Sequence, residues 1–248
     1  MTVPLRLITI PISHYCDKVR WALEYAGIPY REDAHVQGFH RAATRPAGGH
    51  SVPLLVTPEG PLTDSADIVR WIDARLPAER RLTTPEARAW EARFDAQLGP
   101  PARLWAYDRV ASRPLLAWRY GLRGVPWWES ALFPLMYIPI LQLVRRVLRW
   151  NNDTVKQGMV TIRQEFDHVA QVLRDGRPFL CGDRFTIADL TFAAMSAAVL
   201  LPPNYGIPLP QPDDLPAEAR AEAQQWRAHP AGAFALRLYR EHRRAKLA

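Results

Sequence analysis

The apolar positions change period along this chain. Residues 5–10, "LRLITI", form a short β-branched run bounded by prolines and predict a strand. From Tyr15 the spacing turns helical: Tyr15, Val19, Ala22 and Ala26 share one face, Leu23 lies beside them, and Gly27 closes the helix. "IPYREDAHV" predicts a second extended segment, and the polar stretch holding Gly38, Gly48 and Gly49 predicts a poor helix and a loop. "SVPLLVTPEGPLTDS" predicts a hairpin running out through 52–56, turning at "TPEG" and returning through 61–63. "SADIVRWIDARLP" is amphipathic, with Ile68, Trp71 and Ile72 on the inner side, and Pro77 stops it.

Beyond Pro85 the strand alternation disappears. Helical periodicity covers roughly 86–110, 130–149, 154–175, 186–200 and 216–243. Within "RFTIADL", Thr186 and Asp189 have capping-box spacing, and Phe185 and Leu190 can close a hydrophobic staple over it. This box starts a buried helix and carries no chemistry. The expected fold class is α/β plus all-α: a β-α-β-α-β-β-α unit over 1–78, a linker over 79–84, and a helical bundle over 85–248.

Composition narrows the class. With 48% hydrophobic and 23% charged residues, the 248-residue chain reads as globular and not as disordered. The net charge of +7 raises nucleic acid as a partner, but the excess is scattered arginine. The one dense cluster, "RRAK" at 243–246, reads as a solvated helix end, so no nucleic-acid partner is expected. Two cysteines, Cys16 and Cys181, make no disulfide framework and fit a reducing compartment. "MTVPLRLITI" lacks a signal-peptide layout, so a cytoplasmic location is the expectation. "ALFPLMYIPILQLV", 131–144, is too short to cross a bilayer and holds two prolines. It reads first as a buried helix, with peripheral membrane contact as the sharper alternative.

Four stretches in register carry a resemblance: "SHYCDKVRWAL", "SVPLL", "LTDSADIVRWI" and "GDRFTIADL". Together they resemble the glutathione transferase superfamily, over nearly the whole chain and most loosely over 110–153. The resemblance implies a thioredoxin-like N-terminal domain that binds glutathione as co-substrate, no metal, an all-helical C-terminal domain, and a homodimer. It implies a cis peptide bond between Val52 and Pro53, with the Val52 backbone offered to an extended peptide. Ser65 is expected as a helix N-cap whose amides suit a carboxylate, with Asp64 beside it to accept from a cationic amine. The glycine end of the tripeptide is assigned to His50, with Arg45 and His40 nearby; where the family usually has a Lys, Arg or Gln, this chain has Ser51.

The same stretch poses a choice between Ser13 and Cys16. By position Ser13 matches the hydroxyl of serine-type members, and Cys16 the second, more buried cysteine of a C-x-x-C pair. A free thiol near pKa ~8.5 is mostly uncharged at neutral pH, and lowering it two units takes about 2.7 kcal/mol. A hydroxyl at a helix N-terminus can supply that. The favoured reading is conjugation of glutathione thiolate, held by Ser13, to a hydrophobic electrophile. Thiol-disulfide exchange through Cys16 and a non-catalytic binding protein are the alternatives, and His14 is expected to face solvent. Trp105, Tyr107, Trp118 and Tyr120 are the candidate lining of the electrophile pocket.

Overall fold

The computed structural model describes residues 5–243. Strand β1 (Leu5–Thr9) leads into helix α1 (His14–Ala26), which ends on Gly27 in the left-handed region at φ 69°. Only glycine adopts that conformation without penalty, which is why the helix stops there. Strand β2 (Tyr30–Ala34), the short helix α2 (His40–Thr44), strands β3 (Leu54–Thr57) and β4 (Gly60–Leu62), and helix α3 (Ser65–Asp73) follow. The sheet order is β2-β1-β3-β4, with β1 parallel to β2 and antiparallel to β3, and β3 antiparallel to β4.

That register decides where the site lies. Ile8 pairs with Leu54, so the C-terminal end of β1 runs beside the N-terminal end of β3. Leu55 pairs with Leu62, which brings the end of β4 to the same edge. The start of α1, the loop before β3 and the start of α3 therefore open on one edge of the sheet.

The second half is helical. Helix α4 (Pro85–Gln97) is followed by α5 (Gly99–Ala106), the break falling at "LGPP", and a single π turn (Tyr107–Ala111) continues it. Then come α6 (Pro114–Gly121), which periodicity did not reveal, α7 (Trp127–Val147), α8 (Asn152–Val172), α9 (Ile187–Leu200), α10 (Ala217–Ala228) and α11 (Pro230–His242). The stretch expected as one helix over 216–243 divides at His229, where Pro230 opens a new first turn.

Helix α9 is the centre of this half, apolar all round, and all but one of its 14 residues are buried. Its capping box forms as expected: Asp189 Oδ2 accepts from Thr186 N at 2.9 Å and from Thr186 Oγ1 at 3.0 Å. Asp189 Oδ1 accepts in addition from Leu180 N at 2.8 Å, and burial raises the Asp189 carboxyl to about 6. Helix α1 packs against α9, and one core runs from β1 and α1 through α4 and α9 to α11.

Two sequence expectations change here. Arg243, read as part of a solvated end, is buried: its guanidinium reaches Asp17 Oδ1 at 2.9 Å and Glu24 Oε2 at 3.5 Å. Asp17 is fully buried and also accepts from Tyr239 OH and from Gly206 N, so α1 is tied to the end of the chain. Residues 244–246 of that cluster lie outside the described residues. The apolar stretch 131–144, expected as a buried helix, lies in α7, where only Glu129, Phe133 and Val144 are buried.

Candidate functional site

A cleft of about 300 Å³ opens at the sheet edge identified above, lined by Tyr15, Ser51, Val52, Pro53, Thr63, Asp64, Ser65 and Asp95. The Val52–Pro53 peptide is cis, as the sequence resemblance implied. Pro53 is buried behind it, while Ser51 is exposed at the mouth.

The far wall is the N-terminus of α3. Asp64 is the N-cap: its Oδ1 accepts from Ala66 N at 2.8 Å and Asp67 N at 3.3 Å. This corrects the expectation that Ser65 caps the helix; Ser65 is the first helical residue and is buried. Both residues nonetheless line the cleft, and one oxygen of the Asp64 carboxylate satisfies both helix amides.

The floor comes from α1 and α4. Tyr15 donates its hydroxyl to the Asp95 carbonyl at 2.8 Å, and burial followed by the Asp95 charge pushes its pKa up to about 12. Asp95 Oδ2 is 2.6 Å from Lys18 Nζ. Its Oδ1 is buried and has no hydrogen-bond partner among the described residues. Burial, opposed by Lys18, raises the Asp95 carboxyl. Two carboxylates, Asp64 and Asp95, thus face one small cleft, an environment that favours a cationic group.

At the start of α1, Ser13 is the N-cap, and its Oγ accepts from Cys16 N at 3.4 Å. Ser13 is partly exposed, whereas Cys16 has no exposed surface. Burial raises the Cys16 thiol above its ordinary value, with Arg20, Ser13 and the Ile10 backbone opposing. A thiol so placed is held in its neutral form.

Comparison with family models matches residues 7–80 to the glutathione S-transferase N-terminal domain and residues 152–228 to the glutathione S-transferase C-terminal domain. The chain belongs to the glutathione S-transferase superfamily. Among solved structures it is similar to a glutathione transferase from Phanerochaete chrysosporium, at 15% identity and TM-score 0.66, covering 99% of each chain. A glutathione S-transferase of Ceriporiopsis subvermispora in complex with glutathione is 18% identical with TM-score 0.61, covering 99% of this chain and 100% of the other. One from Methylobacterium radiotolerans, in complex with glutathione sulfonate, is 21% identical with TM-score 0.54, covering 94% and 95%. Comparison with curated proteins finds no match. A thioredoxin-like domain followed by a helical domain is therefore the architecture of this transferase-superfamily chain.

The remaining candidates fall outside the cleft. His50 is exposed and does not line it, and Arg45 is exposed as well. His40 is buried and accepts from Gly38 N at Nδ1, and burial lowers its pKa to about 4, so it supplies no cation at neutral pH. His14, expected at the surface, is 4% exposed; burial and then Arg103 lower it to about 3, so it is neutral.

None of the four aromatic residues assigned to an electrophile pocket lines this cleft. Trp105 is buried and donates Nε1–H to Glu222 at 2.7 Å; Tyr120 is buried and donates to Asp214 at 2.9 Å. Tyr107 lies tilted beside Trp150, and Trp118 is 48% exposed against Phe133.

Tyr15 and Asp95 were missed as site residues. Tyr15 stood out only as part of a helical stripe. Asp95 is 80 positions further on, and no local spacing links the two; only the packing of α4 on α1 does.

Proposed function

We propose that the chain binds glutathione in this cleft and that Ser13 stabilises its sulfur as thiolate for attack on an apolar electrophile. The observation that supports the reading is the cleft itself, where Tyr15 near the start of α1, the cis Val52–Pro53 loop and the α3 N-terminus meet; Ser13 caps α1 two residues before Tyr15 and is not among the lining residues. A γ-glutamyl head group has an ammonium and a carboxylate. The Asp64 and Asp95 carboxylates suit the first, and the α3 first turn suits the second. The extended backbone of the tripeptide pairs with Val52.

Thiolate formation is the chemical step that needs help. A hydroxyl rotates about one bond, so Ser13 can keep its oxygen as a cap and turn its proton to the ligand sulfur. The first-turn amides of α1 add a positive field. The thiol proton leaves to solvent, and a sulfur lone pair then forms the new C–S bond as the electrophile's carbon gives up its leaving group or, in an activated double bond, its π pair. Exchange through Cys16 is the weaker reading, because a fully buried, neutral thiol meets neither the access nor the charge that exchange requires. The reading also takes the protein as a homodimer, which light scattering checks.

Calorimetric titration of the full chain with glutathione tests the proposal. One site per chain is expected, with a rise in melting temperature as ligand is added. No heat and no rise at millimolar glutathione overturns it.

A further inference from the structure

Helix α7 is built unlike the rest of the molecule. It has 21 residues and no charge from Ala131 to Val144, yet Glu129, Phe133 and Val144 are its only buried residues. Trp127, Ala131, Leu135 and Ile138 recur at i, i+4, i+8 and i+11, which places them on one face. That face is open: Trp127 is 82% exposed, Leu135 74% and Ile138 54%. Leu115 and Trp118 of α6 are exposed as well. Ten of the twelve large hydrophobic residues exposed among the described ones fall between Leu115 and Val147. Such concentration marks a contact surface and not the scatter of apolar atoms every protein shows.

The exposed charge carried by the segment 110–152 itself has one sign. Arg113, Arg119, Arg123, Arg145, Arg146 and Arg149 are all exposed. The one acidic residue between 110 and 152, Glu129, is fully buried. We infer that the α6–α7 face docks on an anionic lipid surface, with α7 lying in the plane of the interface.

Three features support that occupant. A second copy of this chain would bring arginines against arginines, whereas an anionic headgroup layer neutralises them. Trp127 and Trp128 open the helix and arginines close it, so aromatic rings and long cationic side chains sit at headgroup depth on both ends. Length excludes crossing: the 14 charge-free residues rise ~21 Å, short of the ~30 Å hydrocarbon layer. No single helix among the described residues is long and apolar enough to span; α7 and α8 reach that length and composition only as a pair bent by 66°. A helix of this kind binds with its apolar face sunk to the acyl boundary.

Flotation of the full chain with lipid vesicles tests the inference. The protein is expected to float with phosphatidylcholine–phosphatidylglycerol vesicles, to stay behind with pure phosphatidylcholine, and to be released by salt. Two double variants, Trp127→Ser with Leu135→Ser, and Arg145→Glu with Arg146→Glu, alter exposed side chains and are expected to keep the wild-type circular dichroism. Each should lower vesicle partition about tenfold or more, the first by removing apolar area and the second by reversing the attraction to the headgroups. Wild-type protein that floats with neither vesicle, or variants that float as well as wild type, overturns it. So does an apolar variant that scatters light as a smaller species than a wild type that ignores vesicles, since the face would then join two copies. None of these outcomes depends on glutathione binding.

Discussion

Lys18 Nζ lies 2.6 Å from Asp95 Oδ2 and 2.8 Å from Glu91 Oε1, and no part of the lysine side chain is exposed. One cation thus holds two carboxylates between α1 and α4, and one of the two carboxylates lines the cleft. Lys18 follows Tyr15 by three residues and precedes Ala22 by four, so it flanks the apolar stripe of α1 and reaches carboxylates on α4.

Replacing Lys18 with Met leaves the buried Glu91 and the partly buried Asp95 without their cation. The expected loss at neutral pH is about 3–5 kcal/mol, the range for breaking a buried pair from one side. Burial already raises both carboxyls above their ordinary values. Carboxyls raised on folding favour the folded state at low pH, and that benefit is lost as pH rises through their folded pKa. The gap in melting temperature between wild type and Lys18→Met should therefore be smaller near pH 5 than near pH 8. A gap that widens on acidification would contradict this assignment.

Asp95 lines the cleft together with Asp64, and its Oδ1 is buried with no hydrogen-bond partner among the described residues. An ammonium group on the ligand would satisfy it. Asp95→Asn should raise KM for glutathione about tenfold, as expected for losing one charge-assisted hydrogen bond, with kcat within about threefold. Equal losses in kcat and kcat/KM would move Asp95 from binding to the chemical step.

What could be read beforehand divides along a physical line. Local signals were legible: the glycine stop at Gly27, the Thr186–Asp189 box and the hairpin around "TPEG" depend on neighbouring residues, and all form. Asp64 rather than Ser65 became the cap because both are good cap formers, and the one-residue difference depends on where β4 ends. Long-range pairings were not legible. Arg243 finds Asp17 across 226 positions, and His14 is buried because Arg103 and Gly99 on α5 close over it. The exposure of α7 was hidden for the opposite reason: an apolar run looks the same whether protein covers it or not.

Ser13 and Cys16 can be separated directly. Ser13→Ala should raise the thiolate titration midpoint of bound glutathione, followed by ultraviolet absorbance, by about 1–2 pH units, the equivalent of one hydrogen bond to a charged sulfur. Cys16→Ala should leave that midpoint in place and lower stability by about 1 kcal/mol through the small void it creates. The reverse pattern would transfer the chemistry to Cys16.

One of the contacts that hold helix α7 to the sheet domain is a cluster containing a histidine. Glu129 Oε1 lies 2.6 Å from His35 Nδ1, Glu129 Oε2 accepts from Val36 N at 2.7 Å, and His35 Nε2 lies 3.2 Å from Asp33 Oδ1. The Glu129 hydrogen bond, working against burial and helped by Asp33, raises the His35 pKa above 6.5. A histidine raised on folding contributes stability that is complete below its unfolded pKa and fades as pH climbs through its folded one. Above that value Glu129 remains buried opposite a neutral ring, and the anchor of α7 weakens. Trypsin should therefore cut at the α6–α7 arginines faster at pH 8.5 than at pH 6.5, after correction for the enzyme's own pH profile. In His35→Gln the cutting rate should be high at both values, because glutamine carries no charge to lose. A wild-type rate independent of pH would mean that Val36 and the ring contact between Phe39 and Trp128 hold the helix without the charge on His35.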